Sequence, residues 1–198
     1  MSICKRFRPY ATALLMQYKN RAAMISKQQP LLSGIVEADE TYVGGKPRKS
    51  NKHNTPPHGK SKRSRGTNKT PVIGVVERKG NVSAKVSDNL KAGSITRFLK
   101  DEVDPQNSLL IADEFTGYVA ACKIIPHSVI NHQKQYVDRV IHTNTILSSW
   151  ALPKRSYMGS QHHYSKKWMP LYIAEQCWKY NNRENDDAFL SFLKGVVA

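Results

Sequence analysis

Three things are scarce in this chain. It has three cysteines in 198 residues, at positions 4, 122 and 177, and none in Cys-x-x-Cys spacing. That excludes a disulfide framework and a structural zinc site built from this chain alone, and it fits a reducing cytoplasm. No run of about 18 apolar residues occurs, so no membrane span is expected. The apolar patch at 11–16, behind a basic start, is too short and interrupted for a signal peptide. Acid is the third shortage: 15 Asp and Glu stand against 31 Lys and Arg, for a net charge of +16. Such a surplus points to a polyanionic partner, because neutralising phosphates releases condensed counterions. With 39% hydrophobic residues, the chain can still build one domain with a true core.

The charge is concentrated. Residues 44–70 hold nine Lys or Arg and no acid, among them Lys46, Arg48, Lys49, Lys62, Arg63 and Arg65. Glycines and prolines fill much of the remainder, and almost nothing there is apolar. A segment of this kind buries too little to offset its ordering entropy, so it reads as a mobile loop. A plain linker needs no such one-sided charge; an arm that grips phosphates does.

Strands flank that loop. Residues 34–43 carry β-branched side chains at a period near two, and 71–77 and 82–87 are joined by Lys79-Gly80-Asn81, a hairpin turn. Ile95, Phe98, Leu99 and Val103 recur at helical spacing. Asp104-Pro105 should stop that helix, and the apolar residues 108–112 read as a buried strand. A helix over 114–123, a short strand at 127–131 and a helical C-terminal third follow. In that third, Leu171, Ala174 and Trp178 form one apolar stripe, and Phe189, Phe192, Leu193 and Val196 another. The result is an α/β domain with a mixed sheet flanked by helices. Residues 1–33 suggest one helix without a partner, a helical remnant ahead of a domain at 34–198.

Two strings carry the chemistry: Val36-Glu37-Ala38-Asp39-Glu40-Thr41-Tyr42 and Ile111-Ala112-Asp113-Glu114. Each ends an apolar, β-rich run with an aspartate that can project from a strand end. Two such carboxylates, with a third group from a helix, can hold two divalent ions about 4 Å apart. Hard oxygen ligands select magnesium or manganese. A third string, His142-Thr143-Asn144-Thr145-Ile146-Leu147-Ser148-Ser149-Trp150, looks like that helix.

Glu37 to Lys46, Pro71 to Arg78, Ala112-Asp113 with Gly117-Tyr118, His142 to Thr145, Gly159, His162-His163-Tyr164, and Tyr172 through Tyr180-Asn181-Asn182-Arg183 form an ordered series. In it the chain, from about Gly34 to its C-terminus, resembles the DDE-type transposases of bacterial insertion sequences. The resemblance implies a ribonuclease-H-like fold and magnesium-dependent (or manganese-dependent) cleavage and joining of DNA strands. It also implies duplex DNA as partner (transposon ends and target), a homo-oligomer when active, and a bacterial cytoplasmic, nucleoid-associated setting. Asp39 and Asp113 match the first two metal-binding aspartates. Lys154 matches the basic residue seven positions after the third ligand, two helical turns on and so on one face with it. Arg155 and Arg183 join the basic segment as candidate DNA contacts.

The departure falls on the third ligand. Such transposases usually carry Glu after the His-x-Asn-x-x string, and here that position is Leu147, which cannot coordinate a hard cation. Asn144 and Ser148 are the nearest oxygen-bearing substitutes, and Asn144 stands with Asp39, Asp113 and Lys154 as a candidate catalytic residue. Pro153, where a helix former is expected, should kink the helix at a cost of about 3 kcal/mol. Relatives commonly begin with a zinc ribbon and a helix-turn-helix; this chain shows neither, so selective recognition of transposon ends is not expected. Three readings follow: a transposase catalytic domain inactive as it stands, a non-catalytic DNA-binding remnant that does nothing or inhibits by occupying DNA or a partner, and a stand-alone ribonuclease-H-like nuclease. The five histidines at 127, 132, 142, 162 and 163 match no zinc signature, and DNA contact or packing is the expectation for them.

The charge pattern makes one prediction. The chain should bind duplex DNA with little sequence preference and with an affinity that falls steeply as salt rises. Removing 44–70 should flatten the plot of log affinity against log salt by about 0.9 for each phosphate that the segment neutralises. An unchanged slope, measured by fluorescence anisotropy, rules out the arm.

Overall fold

The computed structural model describes residues 10–25, 29–44, 69–113, 116–118, 120–121, 124–130 and 142–197. Five strands form one sheet: β1 (Leu32–Val43), β2 (Thr70–Glu77), β3 (Val82–Val86), β4 (Val103–Asp113) and β5 (His127–Ile130). Their spatial order is β3-β2-β1-β4-β5. β2 runs antiparallel to both neighbours, while β1, β4 and β5 are parallel. The helices are α1 (Tyr10–Ala23), α2 (Ala92–Glu102), α3 (Asn144–Ser149), α4 (Ala151–Arg155), α5 (Met169–Asn181) and α6 (Ala188–Val197). A mixed sheet in this order, with one antiparallel member and helices on both faces, is a ribonuclease-H-like fold.

Strand alternation sends the two faces of the sheet to two cores. Val36, Ala38, Ile73, Val75, Leu110 and Ala112 meet Ile95, Phe98 and Leu99 of α2. Val43, Val72, Val76 and Val82 meet Ile146, Trp150, Tyr164, Met169, Tyr172 and Ile173 on the other side. Gly34, at φ +69°, sits where the β1–β4 register shifts, a backbone position that suits a residue without Cβ.

The strands and the Lys79-Gly80-Asn81 turn appear where expected. Lys79 takes φ 63° and the Gly80 N–H donates to the Glu77 carbonyl at 3.0 Å. Five expectations need correction. β4 begins at Val103, so Asp104-Pro105 lies inside the strand rather than between helix and strand. There the Asp104 carboxylate accepts from the Gln106 N–H at 2.9 Å and the Asn107 amide at 2.9 Å, closing a local turn that lets the chain pass through the proline. Of the helix expected over 114–123, the described residues (116–118, 120 and 121) show a 3-10 turn at Thr116–Tyr118 and 3-10 backbone again at Ala121; the rest lies outside them. The buried face of α5 is Met169, Tyr172, Ile173 and Gln176 rather than Leu171, Ala174 and Trp178. On α6, Phe189, Leu193 and Val196 are exposed, and Phe192 meets Trp178 edge-on.

The N-terminal helix does have a partner. Arg21 of α1, 5% exposed, donates from Nε to Glu175 Oε2 of α5 at 2.8 Å, and its guanidinium lies 4.3 Å from the Tyr172 ring centre. Tyr18 stacks on Trp168 with ring centres 4.7 Å apart. A polar and aromatic attachment carries no apolar periodicity, which is why the sequence pattern shows a helix with nothing to pack on. Burial alone would raise the Glu175 carboxyl, but the hydrogen bonds from Lys179 and Arg21 outweigh it and hold it below the usual range. Arg21→Ala strips one of two cations from that buried carboxylate. It should cost about 2 kcal/mol in urea unfolding, less than the full loss of a buried pair because Lys179 remains. A change under a few tenths of a kcal/mol would mean that α1 is only loosely attached.

Candidate active site

β1 reads Glu37, Asp39, Thr41 and Val43 onto the face that carries α3 and α5, and Ala38 and Glu40 onto the other. Parallel pairing sets Ala38 beside Ala112 and Glu37 beside Ile111, so Asp113 at the end of β4 and Asp39 follow that pair on one face of the sheet. Asp39 lies inside β1, which runs on to Val43, rather than at the strand end expected. Burial pushes the Asp39 carboxyl up to about 6, helped by the charge of Glu40 and, more weakly, that of Asp113. The Glu40 N–H and the Trp150 indole act in the opposite direction. Glu40, on the far face, accepts from the Tyr118 hydroxyl at 3.4 Å. The first motif thus splits its acids between the two faces.

Glu37 is fully buried. Its Oε2 accepts the backbone N–H groups of Thr145 at 2.8 Å and Ile146 at 3.0 Å, the free donors of the first turn of α3. Its Oε1 takes the Thr145 hydroxyl at 2.9 Å and Arg78 Nε at 2.6 Å. Arg78 also donates to the His142 carbonyl at 2.8 Å. One carboxylate therefore caps α3 and, through Arg78, fixes the chain entering it. This role was missed from the sequence. The signal for it was parity: a glutamate two residues before Asp39 in an apolar strand must be buried on the same face and needs partners.

α3 starts at Asn144, within the string expected to form it, and Leu147 on it is 50% exposed. Trp150 is one turn further on, and its indole N–H donates to Asp39 Oδ2 at 3.1 Å. Leu147 shares that side of the helix by its i, i+3 spacing. Asn144 is exposed at the start of α3, and the Ser148 hydroxyl donates back to the Thr145 carbonyl at 2.8 Å. α3 and α4 join at Trp150, whose backbone stays helical at φ −64° and ψ −17°. Across the junction the Trp150 N–H donates to the Ile146 carbonyl at 3.1 Å and the Lys154 N–H to the Trp150 carbonyl at 3.3 Å. α4 then runs into a π turn at Ser156–Ser160. Pro153 itself is buried beside Ile173 and Cys177 in a small apolar hollow. Burial pushes the Cys177 thiol up to about 12, which leaves it inert.

Lys154 and Arg155 are exposed in the last turn of α4. Arg183 is elsewhere: it donates to the carbonyls of Gly80 at 3.2 Å and Tyr180 at 2.9 Å, at the β2–β3 turn rather than beside the aspartates. Lys46, Arg48, Lys49, Lys62, Arg63 and Arg65 lie outside the described residues, as do Glu114, Cys4 and Cys122. Among the described residues no group of three or more His, Cys, Asp or Glu is placed to hold a metal ion. Asp39 and Asp113 offer hard oxygens from two neighbouring strands, and a cation between them would relieve their mutual repulsion; they fit one side of a divalent-metal site. No helix of the described residues is long and apolar enough to cross a membrane.

The family described as the ISXO2-like transposase domain matches residues 31–181. Among solved structures, the chain is similar to the catalytic core domain of HTLV-2 integrase in complex with magnesium, at 12% identity and a TM-score of 0.42, over 77% of this chain and 87% of that one. Similarity to the simian T-cell lymphotropic virus intasome in complex with PP2A regulatory subunit B56 gamma is 11%, with a TM-score of 0.45, over 77% of this chain and 50% of that one. The Mos1 strand transfer complex matches at 12% and a TM-score of 0.40, over 91% of this chain and 60% of that one. The chain thus spans half to three-fifths of the length of these last two. No curated protein matches.

The geometry predicts a cost for neutralising the cap. Glu37→Gln leaves Arg78 facing an uncharged amide and gives up one acceptor for the α3 amides. Unfolding should lose about 3 kcal/mol, and the melting temperature about 6–12 °C. A melting temperature within about 2 °C of the parent would show that the network holds nothing.

Proposed function

The chain belongs to the family of ISXO2-like transposase domains, and from that premise we propose that it is the catalytic domain of an insertion-sequence transposase disabled at its third metal ligand. The observation that carries the reading is the presence of Asp39, within β1, and Asp113, at the end of β4, on neighbouring parallel strands and on the face where Glu37 anchors the helix bearing Leu147. Asp39 and Asp113 would hold magnesium or manganese, which when bound supplies an activated water or 3′-hydroxyl and stabilises the leaving oxygen of a phosphodiester. Asn144 is the nearest oxygen-bearing substitute for the missing acid and, as an amide, a weak one. Lys154 and Arg155 lie on the exposed side of α4, where they would meet backbone phosphate. The basic segment, and Arg183 at the β2–β3 turn, would grip duplex DNA of transposon ends or target. A homo-oligomer would bring two ends together.

One observation favours the second reading, a DNA-binding remnant that inhibits by occupying DNA. Both Leu147 and Pro153 fall on the helical stretch that should complete the site.

Nicking or strand transfer on supercoiled plasmid separates the two. The parent chain should show little activity with magnesium or manganese. Leu147→Glu should raise it at least about ten-fold, and adding Pro153→Leu should raise it further by restoring a helical N–H and filling the apolar hollow. Full activity in the parent would mean that another residue completes the site. Inactivity in the double variant with DNA binding intact would favour the inhibitor.

A further inference from the structure

Trp150 stands outside every role assigned so far. It is 3% exposed, and its indole N–H is committed to Asp39. The sheet beneath it is shaped to receive it. Asp39 of β1 pairs with Gly74 of β2, and Gly74 pairs with Ala84 of β3, so the three residues form one row across the sheet. A Cβ added at Gly74 would overlap the indole, with Cζ2 2.7 Å away, and the same Cβ would stand 3.5 Å from that of Ala84. The benzene edge of the indole therefore lies in a trough that exists only because residue 74 has no side chain. Its pyrrole edge then reaches Asp39 and donates to Oδ2 at 3.1 Å.

Packing alone would not require this arrangement. A phenylalanine fills a trough as well as a tryptophan does, but only the indole has a donor at that edge. A carboxylate free to rotate presents its oxygens to a cation at an entropic cost; one oxygen held by a fixed donor leaves the other aimed. The helix that holds the indole is the one that bears position 147, so the same contact also sets the spacing between α3 and β1.

We propose that Trp150 is a positioning residue for the metal site: seated over Gly74, it fixes the Asp39 carboxylate in its ligating rotamer and sets the helix at position 147 against it. This rests on the reading of Asp39 and Asp113 as metal ligands. The residue acts through Asp39 and touches neither metal nor substrate.

The test uses the full chain labelled with 15N at its three indole nitrogens. Trp168→Phe and Trp178→Phe assign the Trp150 signal by elimination. Asp39→Asn should move that signal upfield and leave the other two in place; an unmoved signal overturns the hydrogen bond and the inference with it. Manganese, added to the wild-type chain, should broaden the Trp150 signal before the others. Trp150→Phe, which keeps the ring and loses the donor, should weaken manganese affinity about ten-fold, read by electron paramagnetic resonance of the free ion. Gly74→Ala, which displaces the indole, should match it, and it carries the affinity measurement if Trp150→Phe does not fold. Selective broadening with unchanged affinity in these variants overturns the positioning role while the metal site stands. Broadening of no indole overturns the metal-site reading and the inference together.

Discussion

Glu37 lies out of solvent in a strand whose buried neighbours are Val36 and Ala38, and such a carboxylate is tolerated only when its oxygens are fully engaged. It meets that demand from three directions: Arg78 after β2, the amides of Thr145 and Ile146, and the Thr145 hydroxyl. The consequence is geometric. A six-residue helix has little stability of its own, yet here its first turn is tied to the middle of the central strand, two residues from Asp39. Position 147 and Trp150 owe their places to that tie.

Because the anchor holds, the departures at 147 and 153 are of different kinds. Leu147 leaves the backbone untouched: it occupies an exposed position on a helix whose first turn Glu37 holds in place, and under the proposed reading it takes away an oxygen ligand without removing the frame that would hold one. Pro153 bears on the frame: it brings no N–H to the helical ladder one turn beyond Trp150, the residue that touches Asp39. Trp150 keeps helical backbone there, and its ring shares a buried apolar cluster with Tyr164, Met169 and Ile173.

The sheet was legible because its strands carry period-two patterns bounded by turn residues, and two aspartates each ending an apolar run pointed to Asp39 and Asp113, which the parallel register of β1 and β4 puts on neighbouring strands. What stayed hidden is held together by polar or aromatic contact. Arg21–Glu175 and Tyr18–Trp168 attach α1 without an apolar stripe. The buried face of α5 was misassigned because Gln176 and Glu175 lie inward while Leu171 and Trp178 are half-buried. The strand through Asp104-Pro105 was missed because proline is ordinarily read as a stop, whereas at a strand's outer end it removes no needed hydrogen bond. Trp150 is a core residue, and its second contact, with Asp39, could not be inferred without knowing which glycine lay beneath it.

The tie between Glu37 and Thr145 joins residues 108 positions apart in the chain. β1 and β4 are likewise parallel, and parallel strands meet only after a long crossover has formed. Contacts of such separation bear a large loop-closure cost and form late. During folding, then, β1 can pair with β2 by a shorter connection while Glu37 still lacks the amides that will cap α3. The order in which the chain is built thus places the active-site helix among the last pieces to settle. A chain stalled at that stage would expose a charged strand face and an unfilled apolar trough at Gly74, both available to other chains before the molecule is complete.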